Sequence, residues 1–324
     1  MAQRSHLRAV TPAVPVADFA ASLLLGSHSG VMSGILWLAS YPKSGNTWLR
    51  VFLATLILDE PDPLPLQRIN EVCSSEPNEV WFKPLATKPV SELSDKKIAA
   101  LRVKAQERAA GVNRNIIPMK THSLLGKDHG YPTISVKATV GVIYIVRDPR
   151  DVAVSVADHY GLTLDQAIEM MADKAARGRG MPGNTVHELM GGWSDHVRSW
   201  TRWKHTPLLL LRYEDMLADT LGQLGMVAKK LGITQDEARI RRAVAFSSFK
   251  TLQAQEQESG FVEKSLHSQR FFRSGRAGGW RDKLTPAQAA AIEVFHAEQM
   301  RRFGYLPPVA TAGPAGKPSA AKVP

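Results

Sequence analysis

Residues 35–53 read ILWLASYPKSGNTWLRVFL, and this stretch decides the fold. The apolar run Ile35–Ala39 predicts a buried strand, and the spacing of apolar residues over Asn46–Leu58 predicts a helix. Lys43 and Gly45 lie in the tight turn between the two elements. A strand that turns directly into a helix directs backbone N–H groups and the positive end of the helix dipole at a ligand. The stretch therefore predicts a P-loop-like strand–loop–helix that binds an anion.

The rest of the chain alternates between apolar strands and helical patterns. The predicted strands are Asn115–Met119, Val140–Val146 and Thr206–Leu211, and the predicted helices are Pro149–Tyr160, Met216–Leu231 and Thr285–Phe303. This alternation indicates an α/β fold with a central parallel β-sheet flanked by helices. Residues 60–112 and 161–204 fit the pattern less well, and we expect them to form helices and loops that cover a site.

The two ends of the 324-residue chain differ from its middle. Residues 1–31 show little periodicity and contain several prolines and glycines, which predicts a poorly ordered N-terminal extension. Residues 307–324 are rich in Ala, Pro, Gly and Lys and predict a disordered tail. Residues 32–306 form the predicted single domain. Both Met1 and Met32 are candidates for the start of the working protein.

Composition limits the partners. Lys and Arg number 41 against 30 Asp and Glu, a net charge of +11 that attracts nucleic acid, anionic membranes or a small phosphorylated ligand. No run of five or more Lys or Arg is present, and no window reaches the roughly 18 apolar residues of a membrane span. Cys73 is the only cysteine, which excludes an intramolecular disulfide and fits a reducing cytosol. We expect a cytoplasmic protein without nucleic-acid or membrane partners.

The turn after the first strand differs from a Walker A loop. A Walker A lysine follows the second glycine of its motif, whereas Lys43 precedes Gly45. Ser44 and Thr47 add hydroxyl donors beside the lysine charge. An ordinary strand–turn–helix with an exposed lysine is the alternative.

Residues 41–48, YPKSGNTW, resemble the 5'-phosphosulfate-binding loop of the cytosolic-type sulfotransferases that use 3'-phosphoadenosine 5'-phosphosulfate (PAPS), usually written YPKSGTTW. Asn46 replaces a threonine, and its amide is also a hydrogen-bond donor. The resemblance implies a donor-binding loop made of Lys43, Ser44, Gly45, Asn46 and Thr47.

A second anion site is predicted at residues 142–151, VIYIVRDPRD. Arg147 ends a strand at the carboxyl edge of a parallel sheet, where ligands bind, and Ser155 follows two helical turns later. The segment resembles the family's 3'-phosphate motif, in which a serine follows the arginine by eight residues. The alternatives are a salt bridge from Arg147 to Asp151, a packing role for Ser155, and a Walker B strand in which Asp148 holds Mg²⁺.

Residues 115–123, NIIPMKTHS, contain the catalytic candidates. Lys120 and His122 follow a strand and, being two apart, point to one side of an extended backbone. A neutral histidine at this position would serve as general base, although most histidines are surface or packing residues. The match to the family's Lys-Thr-His segment implies that His122 is the base. From the flow of charge in the reaction, we expect Lys120 to stabilise the sulfuryl oxygens and Lys43 to stabilise the leaving-group oxygen.

Aromatic residues mark the predicted nucleotide edge. Tyr213 follows a strand and resembles the family's adenine-contacting tyrosine, and Trp48 resembles the aromatic residue on the same base. Residues 247–250, SSFK, resemble the family's Thr-Ser-Phe-Lys segment, which adds Ser247 and Phe249. Core packing is the alternative for all three aromatic side chains.

Residues 271–280, FFRSGRAGGW, resemble the family's RKGxxGDW signature. Arg273 and Gly275 match it, whereas Ser274 replaces the lysine and Gly279 replaces the aspartate. We expect Arg273, Ser274 and Gly275 to contact the donor, with one cationic contact to its 3'-phosphate missing. The family's dimer motif after Trp280 is matched fully only at one position, so the sequence does not support that dimer.

The matched segments occur in one order between residues 35 and 303. They predict a sulfotransferase that moves the sulfuryl group of PAPS to a hydroxyl or amine of a small-molecule acceptor by in-line displacement, without a metal ion. A P-loop kinase or NTPase and a non-catalytic polyanion-binding protein are the rival functions. The identity of the acceptor and the oligomeric state stay open. Candidates for the acceptor pocket, or for the core, are Trp81, Phe82, His159, Tyr160, Met170, Met171 and Trp193.

Overall fold

The computed structural model describes residues 33–112 and 115–308 of the chain. The predicted N-terminal extension at residues 1–31 and residues 309–324 of the predicted tail lie outside the described residues. The bounds proposed for the domain and for its two extensions therefore remain predictions.

The central sheet contains five parallel strands. The strands of the chain are β1 (Gly34–Ser40), β2 (Ser74–Ser75), β3 (Ile116–Thr121), β4 (Lys127–Asp128), β5 (Tyr131–Pro132), β6 (Thr139–Val146), β7 (Arg177–Gly178), β8 (Glu188–Leu189) and β9 (Leu208–Arg212). The central sheet has the order β2-β3-β1-β6-β9, and each neighbouring pair is parallel. Strands β4 and β5, and strands β7 and β8, form two small antiparallel ribbons.

Helices cover both faces of the sheet. They are α1 (Asn46–Leu58), α2 (Asp95–Val112), α3 (Pro149–Tyr160), α4 (Leu164–Ala172), α5 (Trp193–Thr201), α6 (Tyr213–Ala218), α7 (Thr220–Lys230), α8 (Glu237–Phe246), α9 (Phe249–Ser259) and α10 (Pro286–Arg302). The predicted α/β fold with a central parallel sheet is confirmed. No helix in residues 33–112 and 115–308 combines the length and the apolarity needed to cross a membrane.

Strand β1 explains why both faces must be covered. Every residue of β1 is buried. Trp37 points into a core shared with α2, α3, α5 and α10, whereas Leu38 points into a core shared with α1, α7, α8 and α9. Side chains alternate between the faces of a strand, so an uninterrupted apolar run needs packing partners on both sides.

The predicted bounds of α1 and α3 agree with the structure, and one predicted helix is wrong. The segment Met216–Leu231 is divided between α6 and α7 at Asp219, whose backbone leaves the helical region (φ −138°, ψ 70°). The Asp219 carboxylate accepts a hydrogen bond from the N–H of Gly222 and thereby caps α7. The long helix α2 was not resolved from the sequence, which assigned residues 60–112 to covering segments.

Candidate active site

A cavity of about 880 Å³ lies at the carboxyl edge of the central sheet. Its wall includes Lys43 after β1, His122 after β3, Arg147 after β6 and Tyr213 after β9. One predicted site residue thus follows each of four neighbouring strands, and all four residues line the same cavity, as expected at the carboxyl ends of parallel strands.

The loop between β1 and α1 is shaped to hold an anion. Lys43 and Gly45 have left-handed backbones, with φ of 65° and 103°. A Cβ atom at Gly45 would lie 2.7 Å from Cδ2 of Tyr213, so only glycine fits here. The hydroxyl of Ser44 is buried and has no hydrogen-bond partner among the described residues. No side chain of the described residues caps the start of helix α1 at Asn46, which leaves its first N–H groups for a ligand.

The ammonium group of Lys43 is poorly solvated. It lies 3.9 Å from the centroid of the Phe271 ring. Burial lowers the pKa of Lys43 to about 8 against the opposing influence of the Glu263 carboxylate, and the nearby charges of Lys120 and Arg147 lower it further. An anionic ligand would therefore stabilise the charged form of Lys43.

His122 is held as a neutral base. Its Nδ1 lies 2.8 Å from the carbonyl oxygen of Ser40. Because a carbonyl oxygen only accepts, Nδ1 carries the proton and Nε2 of the neutral ring is left as the acceptor. Burial holds the pKa of His122 well below its ordinary value, and the charge of Lys120 acts in the same direction.

A buried column fixes the backbone of His122. The Nε2 atom of His196 donates to the carbonyl oxygen of His122 at 3.1 Å, and the hydroxyl of Tyr144 lies 2.8 Å from Nδ1 of His196. The N–H of His122 donates to Oε1 of Glu188 at 2.7 Å. The base is thus positioned through both of its main-chain polar groups.

Glu263 lies among the cations of the site and was missed by the sequence analysis. Its carboxylate accepts from Nη1 of Arg50 at 2.5 Å, and from Nζ of Lys120 and Oγ1 of Thr47 at 3.4 Å each. Burial acts to raise the pKa of Glu263, but Lys120 and Arg50 outweigh it and hold the pKa well below the ordinary value. Arg50 follows Thr47 by three residues, so helical spacing could have revealed it. No sequence pattern marks Glu263.

The Asn46 side chain faces the sheet as well as the cavity wall. Its Nδ2 donates to the carbonyl oxygen of Leu38 at 2.8 Å and to Oγ of Ser40 at 3.3 Å. The amide hydrogens that were expected to reach the donor therefore tie the start of α1 to the end of β1.

Arg147 connects the loops on either side of the cavity. Its Nη1 donates to the carbonyl oxygen of Lys43 at 2.9 Å, and its Nη2 donates to that of Arg276 at 3.3 Å. Its guanidinium lies 4.3 Å from the centroid of the Tyr213 ring, and its Nε is buried without a partner among the described residues. Ser155 lines the same cavity.

The Asp151 carboxylate binds the backbone of the C-terminal loop, residues 271–280, and not the side chain of Arg147. Its carboxylate accepts from the N–H groups of Gly278 at 2.6 Å and Trp280 at 2.9 Å. The alternative salt bridge between Arg147 and Asp151 is absent from the described contacts.

Asp148 is also engaged by the protein. It caps α3 through the N–H of Arg150 and forms a 2.7 Å ion pair with that side chain. Residues 33–112 and 115–308 contain no group of three or more His, Cys, Asp or Glu placed to hold a metal ion.

Three aromatic residues predicted to bind the nucleotide form one part of the cavity wall, which we call the nucleotide wall. One further predicted residue, Ser247, lies elsewhere. Trp48 and Tyr213 pack edge to face with centroids 6.0 Å apart, and both line the cavity with Phe249. Ser247 does not belong to the cavity wall. It is fully buried, and its hydroxyl donates to the carbonyl oxygen of Ala243 at 2.8 Å.

Arg273, Ser274 and Gly275 line the cavity from the C-terminal loop. Gly275 has φ 56°, and a Cβ atom there would clash with Cδ2 of Phe249. Nη1 of Arg273 lies 3.8 Å from Oδ1 of Asp158, and the side chain is half exposed. The loop thus brings one cation and a close-packed backbone to the nucleotide wall.

The remaining part of the cavity extends past His122. Of the seven candidates for the acceptor pocket, only His159 and Tyr160 line it. The other five belong to the core or pack against it, namely Trp81, Phe82, Met170, Met171 and Trp193. Burial lowers the pKa of His159 to about 4, and the charge of Lys43 contributes.

Comparison with known proteins decides the family. A family model described as the sulfotransferase domain matches residues 34–304. The chain belongs to the sulfotransferase domain family. Sulfotransferase 2A6 of Rattus norvegicus is 26% identical over 278 residues, which cover 83% of this chain and 85% of the relative. The 3-beta-hydroxysteroid sulfotransferase of Cavia porcellus is 26% identical over 276 residues, with 83% of each chain covered.

Solved structures agree with this membership. Mouse sulfotransferase SULT7A1, complexed with PAP, matches with a TM-score of 0.52 at 26% identity and covers 88% of this chain and 90% of its own. Retinol dehydratase, complexed with retinol and PAP, matches with a TM-score of 0.55 at 19% identity and covers 89% of this chain and 86% of its own, a likeness of fold alone. The predicted family, fold class and enzyme class of this sulfotransferase are confirmed.

Proposed function

We propose that this sulfotransferase transfers the sulfuryl group of PAPS to a hydroxyl or amine of a small-molecule acceptor in the cytoplasm. One observation carries the proposal. The unprotonated Nε2 of His122 and the charges of Lys43 and Lys120 share one cavity with a glycine-dependent anion loop. PAP in the mouse SULT7A1 structure supports an adenosine bisphosphate as the matching nucleotide.

The residues present fit this donor. Two buried polar atoms, Oγ of Ser44 and Nε of Arg147, have no hydrogen-bond partner in residues 33–112 and 115–308. They lie at the two predicted phosphate positions, and each is a hydrogen-bond donor. Lys43, Ser44, Gly45 and Thr47 would hold the phosphosulfate. The 3'-phosphate would be held by Arg147, Ser155, Arg273 and Ser274. The adenine of the nucleotide would pack against Trp48, Tyr213 and Phe249.

In the proposed reaction the protein positions the acceptor beside the sulfuryl group and stabilises the negative charge on the transferred and leaving groups. PAPS supplies a sulfuryl group joined to a phosphate leaving group. His122 accepts the acceptor's hydroxyl proton at Nε2, and Lys120 neutralises charge on the sulfuryl oxygens. Lys43 neutralises charge on the leaving phosphate oxygen. A sulfuryl group carries less negative charge than a phosphoryl group, so the two lysines have less charge to neutralise during its transfer.

A calorimetric titration tests the donor site. Full-length protein in chelator-treated buffer is titrated with PAP and, separately, with ATP and Mg²⁺. We expect micromolar, one-to-one PAP binding that Arg147→Ala weakens because the Arg147 charge borders the nucleotide wall. Arg202→Ala removes an exposed positive charge outside the cavity wall and is the control. Absence of PAP binding together with tight ATP–Mg²⁺ binding would favour a kinase.

A second assay separates an enzyme from a polyanion-binding protein. His122→Ala should abolish acceptor-dependent release of PAP from PAPS while PAP affinity stays near the wild-type value, because His122 is assigned to the proton rather than to the nucleotide. Turnover near the wild-type rate in this variant would refute the assignment of the base. A binding protein would show no turnover in either form and a strong dependence of affinity on salt.

A further inference from the structure

The part of the cavity assigned to the acceptor contains a carboxylate, Glu188, that forms no ion pair within the part of the chain that the structure describes. Glu188 lines the same cavity as His122. Its Oε1 accepts from the N–H of His122 at 2.7 Å, and the described residues provide no hydrogen-bond or ion-pair partner for Oε2. The Glu188 carboxylate therefore contacts the backbone of His122, and its second oxygen can accept a hydrogen bond from a ligand.

The two cations that act to lower the pKa of Glu188, Lys120 and Arg102, are engaged by other carboxylates. Nη1 of Arg102 contacts both oxygens of Glu76, at 2.6 and 2.8 Å, and these two side chains are almost fully buried. Nζ of Lys120 contacts Glu263. Burial, with the charge of Glu76, raises the pKa of Glu188 to about 6, so the group is mainly ionised at neutral pH. A cationic partner stabilises a half-buried carboxylate of this kind, because an unpaired buried charge is unfavourable.

The local backbone leaves this carboxylate accessible. Strands β7 and β8 are antiparallel, and Gly178 lies directly opposite Glu188. Paired residues point to the same face of a ribbon, so a glycine at this position places no side chain over the carboxylate. Gly178 and Tyr160 also line the cavity. Burial and the charge of Glu188 raise the pKa of Tyr160, which keeps its hydroxyl protonated near the carboxylate.

We propose that Glu188 binds an ammonium group of the acceptor, so that the preferred acceptors are aminoalkyl phenols or amino alcohols. This inference rests on the proposed function, because it assigns the second half of the same cavity. A charge-assisted hydrogen bond to a carboxylate is about twice as strong as one between neutral groups. An ammonium group also compensates the charge of Glu188, which a neutral hydroxyl does not. The reacting hydroxyl then lies at His122 while the ammonium group is held by Glu188.

Matched pairs of ligands test the inference. PAP-loaded protein is titrated with tyramine and para-propylphenol, with para-(aminomethyl)phenol and para-ethylphenol, and with propanolamine and butanol. Within a pair, an ammonium group replaces a methyl group. We expect at least one ammonium compound to bind the wild type about tenfold more tightly than its neutral partner, from one charge-assisted hydrogen bond.

Glu188→Gln should abolish this preference, because the amide nitrogen that replaces Oε2 is a donor and cannot accept a hydrogen bond from an ammonium group. The glutamine oxygen can still accept from the N–H of His122, so the base keeps its backbone contact. Glu169→Gln removes an exposed carboxylate on α4 outside the cavity wall and should keep the wild-type preference.

The outcomes separate this inference from the proposed function. If PAP itself does not bind, the proposed function fails. If PAP binds but no ammonium compound binds more tightly than its neutral partner, or if Glu188→Gln keeps the preference, the role of Glu188 is refuted while the donor site stands. Absence of measurable binding by every ammonium compound also counts against the inference.

Discussion

The low pKa of Lys43 makes nucleotide binding sensitive to alkaline pH. Burial lowers this pKa from 10.5 to about 8. In the free protein the ammonium group therefore loses its proton as the pH rises through about 8. A bound phosphate group favours the charged lysine, so binding above this pH requires the uptake of one proton. The affinity for PAP should fall on the alkaline side.

The size of the effect follows from the displacement of the pKa. One pH unit beyond the pKa of the free lysine weakens binding about tenfold, or about 1.36 kcal/mol. Between pH 7 and about pH 9.5 the dissociation constant should rise roughly 30-fold, or about 2 kcal/mol. Phosphate groups have a second pKa near 6, so the ligand itself changes little over this range. Arginine stays charged throughout, and Lys43→Arg should remove most of the pH dependence.

Calorimetric titration of both proteins with PAP at half-unit intervals measures the two slopes. Thermal unfolding at each pH confirms that the proteins remain folded. A wild-type affinity that stays constant from pH 7 to 9.5, or an arginine variant with the wild-type slope, would refute the assignment of Lys43 to the phosphate group.

Three further substitutions have defined outcomes. Glu263→Gln removes a negative charge from the anion site and should tighten PAP binding, measured by calorimetry, about tenfold, which is the scale of one charged hydrogen bond. Weaker binding by the variant would contradict the repulsion between Glu263 and the bound anion. Gly275→Ala forces a left-handed backbone and a clash with Phe249, and should lower the free energy of unfolding in urea by about 1–3 kcal/mol; unchanged stability would show that the loop relaxes freely. Arg102→Met leaves the buried Glu76 carboxylate without its ion-pair partner and should cost about 3–5 kcal/mol in the same assay. A variant as stable as the wild type would contradict this.

The parts of the site that follow strands could be predicted from the sequence. Lys43, His122, Arg147 and Tyr213 each come directly after an apolar run, and the ends of parallel strands share one edge. Local pattern and general sheet geometry were therefore enough to bring these residues together. The same local signals gave the bounds of α1 and α3.

The carboxylates of the site could not be predicted in this way. Glu188 lies in a two-residue strand, and Glu263 lies in an irregular segment after α9. Neither position has a periodicity, and both are fixed by long-range packing against the residues that follow β1 and β3. Ser247 shows the converse error. It matches a local motif, but the end of α8 turns its hydroxyl back to a helix carbonyl and away from the cavity.

The most direct test of the central claim is acceptor-dependent turnover of PAPS. Purified full-length protein is incubated with PAPS in chelator-treated buffer, with and without tyramine, and PAP and the sulfated product are quantified by mass spectrometry. The account predicts equal amounts of PAP and of an acceptor that has gained one sulfo group, and loss of both in His122→Ala. Transfer of phosphate from ATP–Mg²⁺ to an acceptor, with no reaction of PAPS, would contradict it.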